Sequence, residues 1–463
     1  MVSFGYIVTL LDIYLRFGRI HDLLVPPELR IAAILAAAGV LALLSTGRIL
    51  APLTTKVGHY IIFITFWMML SVGVSVWPGG AYSYFVEHWL KSLVTFFFVV
   101  AFVRTFKKVR SVVLAIAAGC STCAVAAFFV GEDLAGRSSV DLTYGNPNDL
   151  AFLILFGLPL SLWVVFDKRA RAWQRILFLA GVVIALPVLV RTGSRAGIIV
   201  IAVVALYLFW RVSAGNRIRM VVAGALLVPI AIAVVPRELI VRYSTMFSAQ
   251  SQADPLENDV SAEDELTASS AAESANMRLD LLKRSLIVTL ENPLLGVGPG
   301  MFVVAENELA VADGRRRGYW KGSHNMYTQI SSEIGLVGFV LFGMILVWSW
   351  KVFTRIDRSD PRLFPFSREL KTLALALKSS ILVYLIAGAT LSIAYGPFMP
   401  VVAGLAVSLS HLLNGAEAER RRRGESAADN AKAERADESN ESKPQDELVR
   451  AARERLPQPV ANS

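Results

Sequence analysis

The sequence predicts an all-α polytopic membrane protein with about twelve transmembrane helices and one large loop outside the membrane. Of its 463 residues, 55% are hydrophobic and 18% are charged, against about 45–50% and about 25% in ordinary soluble domains. The apolar residues form long runs that are separated by short basic clusters. Because the net charge of +9 comes from those clusters, it does not indicate binding to nucleic acid.

Twelve runs approach the roughly 20 apolar residues that a helix needs to cross the hydrocarbon core of a bilayer. They are residues 2–20, 31–47, 57–77, 89–103, 111–130, 150–166, 176–190, 196–210, 220–235, 328–350, 372–394 and 397–413. Asp12, Arg16 and Arg19 interrupt the first run. If that run lies along the membrane surface instead, the number of spans falls to eleven.

The distribution of basic residues predicts which side of the membrane each loop faces. With the N-terminus in the cytoplasm, the short loops on that side hold 19 Lys and Arg residues, and those on the outer side hold 6. Loops rich in Lys and Arg stay in the cytoplasm. This orientation puts the long loop, residues 236–327, on the outer side, within a transmembrane domain of residues 1–413.

The long loop has two parts of different character. Residues 249–274 carry seven acidic residues and no basic one, which predicts a flexible segment. The following stretch has leucines at helical spacing with basic residues among them: Leu279, Leu282, Leu286 and Leu290, with Arg278, Lys283 and Arg284. This pattern predicts an amphipathic helix on the outer membrane surface.

Two further segments carry no predicted chemistry. Residues 414–463 contain no aromatic residue and a dense mixture of charges, which predicts a disordered cytoplasmic tail. Cys120 and Cys123 form a C-x-x-C pair, a spacing that can indicate redox or metal chemistry. They lie inside an apolar span with no histidine nearby, so we interpret them as small packing residues.

Several cationic residues are predicted to lie at the outer face. They are Arg191 and Arg195, Arg137, Lys91, Arg278 and the run Arg315-Arg316-Arg317. Arg191 and Arg195 are four residues apart, so they share one face if that stretch is helical. A guanidinium group is a planar fork suited to phosphate oxygens. The alternative is that the two arginines only reach toward lipid headgroups and that the run at 315–317 is a solvated basic surface.

His324 is the only histidine between His88 and His411, and it stands at the start of a predicted span. If the helix includes it, Thr328, Ser331 and Gly335 share its face. Glu333 is about half a turn out of phase, so we interpret it as a buried structural carboxylate bonded to another span. The alternative for His324 is a structural histidine at a helix start.

Several common site types are missing from the sequence. It contains no D-x-D, no G-x-x-x-x-G-K-[ST] and no H-E-x-x-H, the motifs that hold sugar nucleotides, nucleotide phosphates and zinc. We therefore expect no metal and no cofactor. An enzyme with these residues needs a donor that is already activated.

Four motifs together resemble the O-antigen ligase and polymerase-like superfamily of bacterial membrane proteins. They are GNPNDLA at 145–151, TGSRAG at 192–197, NPLLGVGPGMF at 292–302 and HNMYTQISSEIGLVG at 324–338. Their order, the number of spans and the long loop before the histidine also agree with that superfamily. Thr328 departs from the pattern, since a leucine is usual there, and we expect the difference to alter packing more than chemistry.

The resemblance implies a GT-C-like fold and a metal-independent, inverting glycosyl transfer at the periplasmic side of the bacterial inner membrane. The donor is a glycan on undecaprenyl diphosphate, and the acceptor is a hydroxyl group of a glycan or lipid. His324 resembles the catalytic base, and Arg195 and Arg278 resemble the diphosphate-binding arginines. From its spacing we add Arg191 as a third diphosphate-binding arginine. Candidate further contacts to substrate are Arg137, Arg316 and Asn325.

Three alternatives remain open on the sequence. A ligase attaches a finished polymer to an acceptor such as lipid A core, whereas a polymerase joins repeat units on lipid carriers, and both need the same donor site. Transfer of glycan to protein is a further option. A transporter or flippase of polysaccharide precursors is the alternative from another class, because such proteins also place ionisable residues within membrane spans.

Overall fold

The computed structural model describes residues 1–24, 26, 29–133, 137–142, 145–234, 262–423, 425 and 450. The helices are α1 (Val2–Gly18), α2 (His21–Leu24), α3 (Ile31–Leu44), α4 (Lys56–Gly73), α5 (Pro78–Tyr84), α6 (Lys91–Phe102), α7 (Phe106–Phe129), α8 (Pro147–Phe166), α9 (Ala172–Arg191), α10 (Arg195–Arg211), α11 (Ala214–Val234), α12 (Ala262–Glu291), α13 (Phe302–Ala312), α14 (Met326–Asp357), α15 (Ser367–Gly388) and α16 (Phe398–Arg423). A π-helical segment, Phe85–Leu90, joins α5 to α6. The described part has one two-stranded antiparallel ribbon, β1 (Glu132–Asp133) with β2 (Ser138–Ser139).

The prediction of an all-α membrane protein is confirmed at this level. Within the described residues, eight helices are long and apolar enough to cross a membrane: α4, α5 with α6, α7, α8, α9, α14, α15 and α16. The other four predicted spans also lie on helices, namely α1, α3, α10 and α11. Helices suit this environment because they satisfy every backbone hydrogen bond within one segment.

Helix α1 is part of the bundle although three charged residues fall in or next to it. Val8, Ile13 and Phe17 are buried against the neighbouring helices. Asp12 is only 2% exposed, and it accepts hydrogen bonds from Arg16 Nε at 3.0 Å and from Thr95 Oγ1 at 2.6 Å. The buried carboxylate is therefore paired and hydrogen-bonded, as a charge in an apolar interior must be.

The interior of α14 contains a break that receives the loop before α13. Gly335 has φ 73° and ψ 177°, which is not a helical conformation. The amide of Leu336 donates to the carbonyl of Pro293 at 2.8 Å. The carbonyls released by the break accept from the loop in turn: Val297 N donates to Ser332 O, and Gly298 N donates to Glu333 O, both at 2.9 Å. The loop thus replaces the hydrogen bonds that the broken helix loses.

Helix α4 completes this arrangement from the other side. Trp67 Nε1 donates to the carbonyl of Ile334 at 2.9 Å. Ser71 Oγ lies 2.6 Å from the carbonyl oxygen of Leu295 and 3.0 Å from that of Glu333. Unpaired backbone groups at membrane depth cost several kcal/mol each, so these contacts fix how the loop, α4 and α14 lie together.

Glu333 is buried, as predicted, but its partner belongs to the loop instead of another span. Its side chain is 3% exposed, and Oε2 accepts from the amide of Gly300 at 2.8 Å. Gly300 immediately precedes α13, whose N-terminal amides favour a negative charge. The carboxylate therefore anchors the beginning of α13.

Helix α12 contains the predicted amphipathic helix but begins earlier. Residues 249–261 of the predicted flexible segment lie outside the described part, and the prediction is wrong from Ala262 onward, where the chain is helical. Alanine and glutamate are strong helix formers, and acidic residues favour a helix N-terminus. The leucine face stays exposed, with Leu279 at 51% and Leu290 at 77%. Its position on a membrane surface stays a prediction.

The opposite face of α12 is held to α13 by a buried ion network. Arg284 is 5% exposed. Its guanidinium lies 2.9 Å from Asp313, 3.4 Å from Asp280 and 3.9 Å from Glu306. Glu306 also accepts from the amide of Tyr319 at 2.8 Å. This network fixes the connection that leads from α13 toward His324.

Two smaller expectations also have outcomes in the structure. Helix α16 continues to Arg423, so disorder is wrong for residues 414–423, where an i, i+4 pair of Glu419 with Arg423 supports the helix. Of the rest of the tail, the structure describes only residues 425 and 450. Cys120 and Cys123 are free, buried thiols; a Cβ added to Gly157 would lie 2.3 Å from that of Cys120, which agrees with a packing role.

Gly335→Ala is expected to destabilise the protein strongly. A Cβ at this position would lie 1.8 Å from the carbonyl oxygen of Leu294, and a non-glycine residue in this region of φ and ψ costs about 1–3 kcal/mol before any clash. The thermal unfolding temperature of the purified protein in detergent measures the effect. Gly343→Ala is the matched control in the same helix, because nothing lies within 4 Å of a Cβ there. An equal temperature for both variants would contradict the role assigned to the break.

Candidate active site

His324 stands on a tightly held piece of backbone immediately before α14. Its φ of 51° lies in the left-handed region, which is uncommon outside glycine. Its amide donates to Ser392 Oγ at 3.0 Å, and Ser323 Oγ donates to the carbonyl of Asn325 at 2.9 Å. These bonds determine the direction of the side chain without using the imidazole. The predicted shared face with Thr328, Ser331 and Gly335 is wrong, because α14 begins only at Met326.

The imidazole of His324 is half-buried, and its ring nitrogens have no hydrogen-bond partner among the described residues. Burial lowers the pKa of His324 to about 4, and the positive charges of Arg278 and Lys321 add to the lowering. The ring is therefore neutral at physiological pH. A neutral imidazole with an accessible nitrogen can accept a proton.

Arg278 interacts electrostatically with His324 and with two further charged residues, Arg195 and Asp149. Burial and the positive charge of Arg195 lower the pKa of the Arg278 guanidinium, and the carboxylate of Asp149 opposes this effect. The Nε of Arg278 is buried with no hydrogen-bond partner among the described residues. Two guanidiniums that repel each other, one with an unused buried donor, form a site that a bound anion would stabilise.

Two of these charges stand at helix N-termini, and the third lies in the middle of α12. Asp149 lies in the first turn of α8, which Asn146 caps through its side chain. Arg195 is the first residue of α10, which Ser194 caps by accepting from Gly197 N at 3.3 Å. Arg278 comes from α12. Three segments that are far apart in sequence thus meet at one end of the bundle, next to His324.

Arg191 and Arg195 do not share a helical face, and that part of the prediction is wrong. Helix α9 ends at Arg191 and α10 begins at Arg195, with Gly193 at φ 57° in the turn between them. The left-handed glycine and the serine cap end the first helix and start the second. Arg191 is exposed, with no hydrogen bond or ion pair to another described residue.

Arg137 positions the site's framework. Its Nε donates to the carbonyl of Thr192 at 2.6 Å, and its Nη2 donates to Asn148 Oδ1 at 3.0 Å. These bonds tie the connection before α8 to the turn between α9 and α10. Arg137 therefore sets the distance between the segments that carry Asp149 and Arg195.

Asn325 and the arginine run have other surroundings. Asn325 caps α14, since its Oδ1 accepts from Tyr327 N at 2.9 Å and its Nδ2 donates to the carbonyl of Ala389 at 3.2 Å. Arg315 pairs with Asp280 at 3.0 Å. Arg316 is exposed, like its neighbour Arg317, and has no ion-pair partner in the described part of the chain.

Two residues of this group received no role from the sequence. Asp149 was part of the GNPNDLA motif, and its position in the first turn after a proline was the available signal. Lys321 stands three residues before His324 and gave no signal of its own. Two cations, Arg278 and Lys321, act on the imidazole, and Arg278 has Arg195 and Asp149 as charged neighbours; this excess of positive charge favours an anionic ligand. Among the described residues, no group of three or more His, Cys, Asp or Glu side chains could hold a metal ion.

A comparison with known families gives one result. The sequence model of the family described as O-Antigen ligase matches residues 180–343, a range that contains Arg195, Arg278 and His324. The resemblance predicted from the motifs is confirmed over this range. Among the curated proteins, no sequence matches the chain.

Asp149→Asn and Arg278→Gln are expected to be energetically coupled, because the carboxylate of Asp149 acts on the guanidinium of Arg278. The unfolding temperature of the double variant Asp149→Asn/Arg278→Gln should therefore differ from the sum of the two single effects. A double-mutant cycle should give a coupling of about 0.5–3 kcal/mol. Asp141→Asn is the control, because Asp141 is an exposed carboxylate in the connection before α8. Additive effects would show that the two charges do not interact.

Proposed function

The chain is O-antigen ligase-like over residues 180–343, and from this premise we propose that it is a membrane glycosyltransferase of the ligase or polymerase type. It would transfer a glycan from undecaprenyl diphosphate to an acceptor hydroxyl at the periplasmic side of the bacterial inner membrane. The observation that supports this most directly is the group of Arg195, Arg278 and the neutral His324 at one end of the bundle.

The two arginines would bind the diphosphate of the donor. When the acceptor oxygen attacks the anomeric carbon, the bond from that carbon to the diphosphate oxygen breaks and negative charge develops on the departing lipid diphosphate. Guanidiniums that are already in place stabilise this charge without reorganisation. The buried, unused Nε of Arg278 is a donor suited to such an oxygen. A single displacement of this kind inverts the anomeric configuration.

His324 would accept the proton of the attacking hydroxyl. In the free protein burial, and after it the Arg278 charge, lowers the pKa of His324, which keeps the ring neutral but makes it a weak base. A bound diphosphate brings negative charge beside Arg278 and so raises the pKa of the imidazole. Binding of the donor would therefore strengthen the base at the moment it is needed.

In the proposed reaction, the side chains of Arg195 and Arg278 stabilise the negative charge of the leaving diphosphate. The proposed reaction is therefore metal-independent. Cations of the protein can take the place of a metal ion when the leaving group is a diphosphate. The environment of Glu333 does not favour the alternative of a transporter or flippase. Its carboxylate holds the amide of Gly300, which is a structural contact.

His324→Ala and Arg278→Gln should each lower glycan transfer by about 10²–10³ while the protein still inserts and folds. His59→Ala and Lys283→Gln are matched controls, since both side chains are exposed and neither is among the charges that act on Arg278 or His324. In a deletion strain, each active-site variant should fail to restore transferred glycan, and lipid-linked precursor should accumulate. Single repeat units left on the carrier lipid would identify a polymerase, and finished polymer left on the carrier lipid would identify a ligase. Full transfer by His324→Ala would remove the proposed base.

The pH dependence should report the lowered pKa of His324. The acid limb of kcat/KM, which reports the free protein, should have its midpoint below the ordinary 6.5 and near 4. The limb of kcat should lie higher, because the bound diphosphate raises the pKa of the imidazole. Arg278→Gln should move the kcat/KM limb upward, since it removes a positive charge. A kcat/KM midpoint at 6.5 or above in the unsubstituted protein contradicts the assignment.

The lowered pKa of His324 also determines how the free energy of unfolding changes with pH. Between pH 6.5 and about 4 the unfolded chain binds a proton at residue 324 that the folded protein excludes. The free energy of unfolding should therefore fall as the pH drops through this window. His324→Gln should lack this part of the pH dependence.

A further inference from the structure

A cavity of about 620 Å³ lies between α1, α3 and α6, separate from the residues around His324. Four cationic side chains line it, and the acidic residues among its lining are Asp12 and Glu87. The cations are Arg16, Arg19, Arg30 and Lys91. Cationic side chains therefore outnumber acidic ones in this cavity. Ionisable residues within a membrane bundle are energetically costly and commonly mark functional sites.

One wall of the cavity is built around a fixed guanidinium. Arg16 donates through Nε to both oxygens of Asp12 at 3.0 Å, and Thr95 holds the same carboxylate. The two terminal amino groups of Arg16 have no hydrogen-bond partner among the described residues. Asp12 thus holds Arg16 through Nε, and the two terminal amino groups stay available to this cavity, as bidentate binding of a phosphate requires.

Other donors around the cavity are also unused. Arg30 and Lys91 are exposed, and neither has an ion-pair or hydrogen-bond partner for its side chain in the described part of the chain. The Nδ1 of His21 is buried without a hydrogen-bond partner among the described residues. An orphaned buried polar atom in a cavity wall indicates a ligand or water partner.

The remaining wall is apolar. Ala32, Ala33 and Ala36 of α3 line it with small side chains, which leave room for a hydrocarbon chain beside the cationic wall. The π-helical segment Phe85–Leu90 borders the same cavity through Glu87. Such segments occur frequently at functional sites.

The cavity lies at the end of the bundle that carries His324. Ser92, next to Lys91, donates to the carbonyl of Tyr395 at 3.3 Å, and the amide of His324 donates to Ser392 at 3.0 Å. Both contacts go to the same connection between α15 and α16. We propose that the cavity binds the phosphate headgroup of an anionic membrane amphiphile, one with net negative charge, with its alkyl chain along α3.

The test uses the full-length protein in phosphatidylcholine nanodiscs, with phosphatidylglycerol and a polyprenyl monophosphate as separate probes. Native mass spectrometry should detect retention of an anionic probe lipid in preference to the zwitterionic phosphatidylcholine. Arg30→Gln/Lys91→Gln should weaken retention by at least about tenfold, because hydrogen bonds to charged groups are lost. Both side chains are exposed and unpaired within the described residues, so the variant should fold normally.

Two controls make the result specific. Arg104→Gln/Lys107→Gln removes the same charge just beyond the far end of α6, and His324→Ala alters the proposed active site; both should retain the probes normally. Preference for phosphatidylglycerol supports a phospholipid site, and preference for polyprenyl monophosphate supports a carrier-lipid site. Equal retention of added phosphatidylcholine, or equal weakening by the Arg104/Lys107 variant, would overturn the proposal. Neither outcome depends on transferase activity.

Discussion

The structure around His324 depends on backbone hydrogen bonds at a break in a transmembrane helix. Where α14 opens at Gly335, its carbonyls at 332–334 accept from the loop before α13 and from α4. A helix in a membrane can break only where such partners replace the lost bonds. The exchange locks the loop into the bundle, and Glu333 then anchors the first turn of α13. The connection that ends at His324 starts from this fixed point.

Charge in the candidate site is balanced differently from charge elsewhere in the bundle. Asp12 with Arg16 and Lys378 with Asp357 are paired at 3.0 Å, which is how a protein usually keeps ions away from lipid. Arg278 has Arg195 as a repelling neighbour, and the carboxylate of Asp149 offsets the charge of Arg278. Repulsion between Arg195 and Arg278 destabilises the folded protein. A bound diphosphate would relieve this repulsion, and the relief would add to the free energy of binding.

The same electrostatics link binding to catalysis. The guanidinium of Arg278 helps to lower the pKa of His324. A diphosphate bound to Arg278 would raise the pKa of His324 again. The donor would thus change the base strength of the imidazole by neutralising Arg278, with no movement of the backbone. The bonds that hold residues 323–325 and the cap on α14 keep the ring in position throughout. Arg137 holds the turn before Arg195 in position through its hydrogen bond to the carbonyl of Thr192.

The sequence alone determined the helical membrane fold, because apolar runs and backbone hydrogen bonding leave few other solutions. It also singled out Arg195, Arg278 and His324, through the predicted outer-face position of these residues and through motifs that resemble the O-antigen ligase and polymerase-like superfamily. Only the tertiary structure decided that α9 and α10 separate Arg191 from Arg195, and that His324 precedes its helix. The role of Asp149 also appeared only there, since its partner comes from α12. Local pattern fixes which segments are helices, whereas distances between charges depend on how distant segments pack.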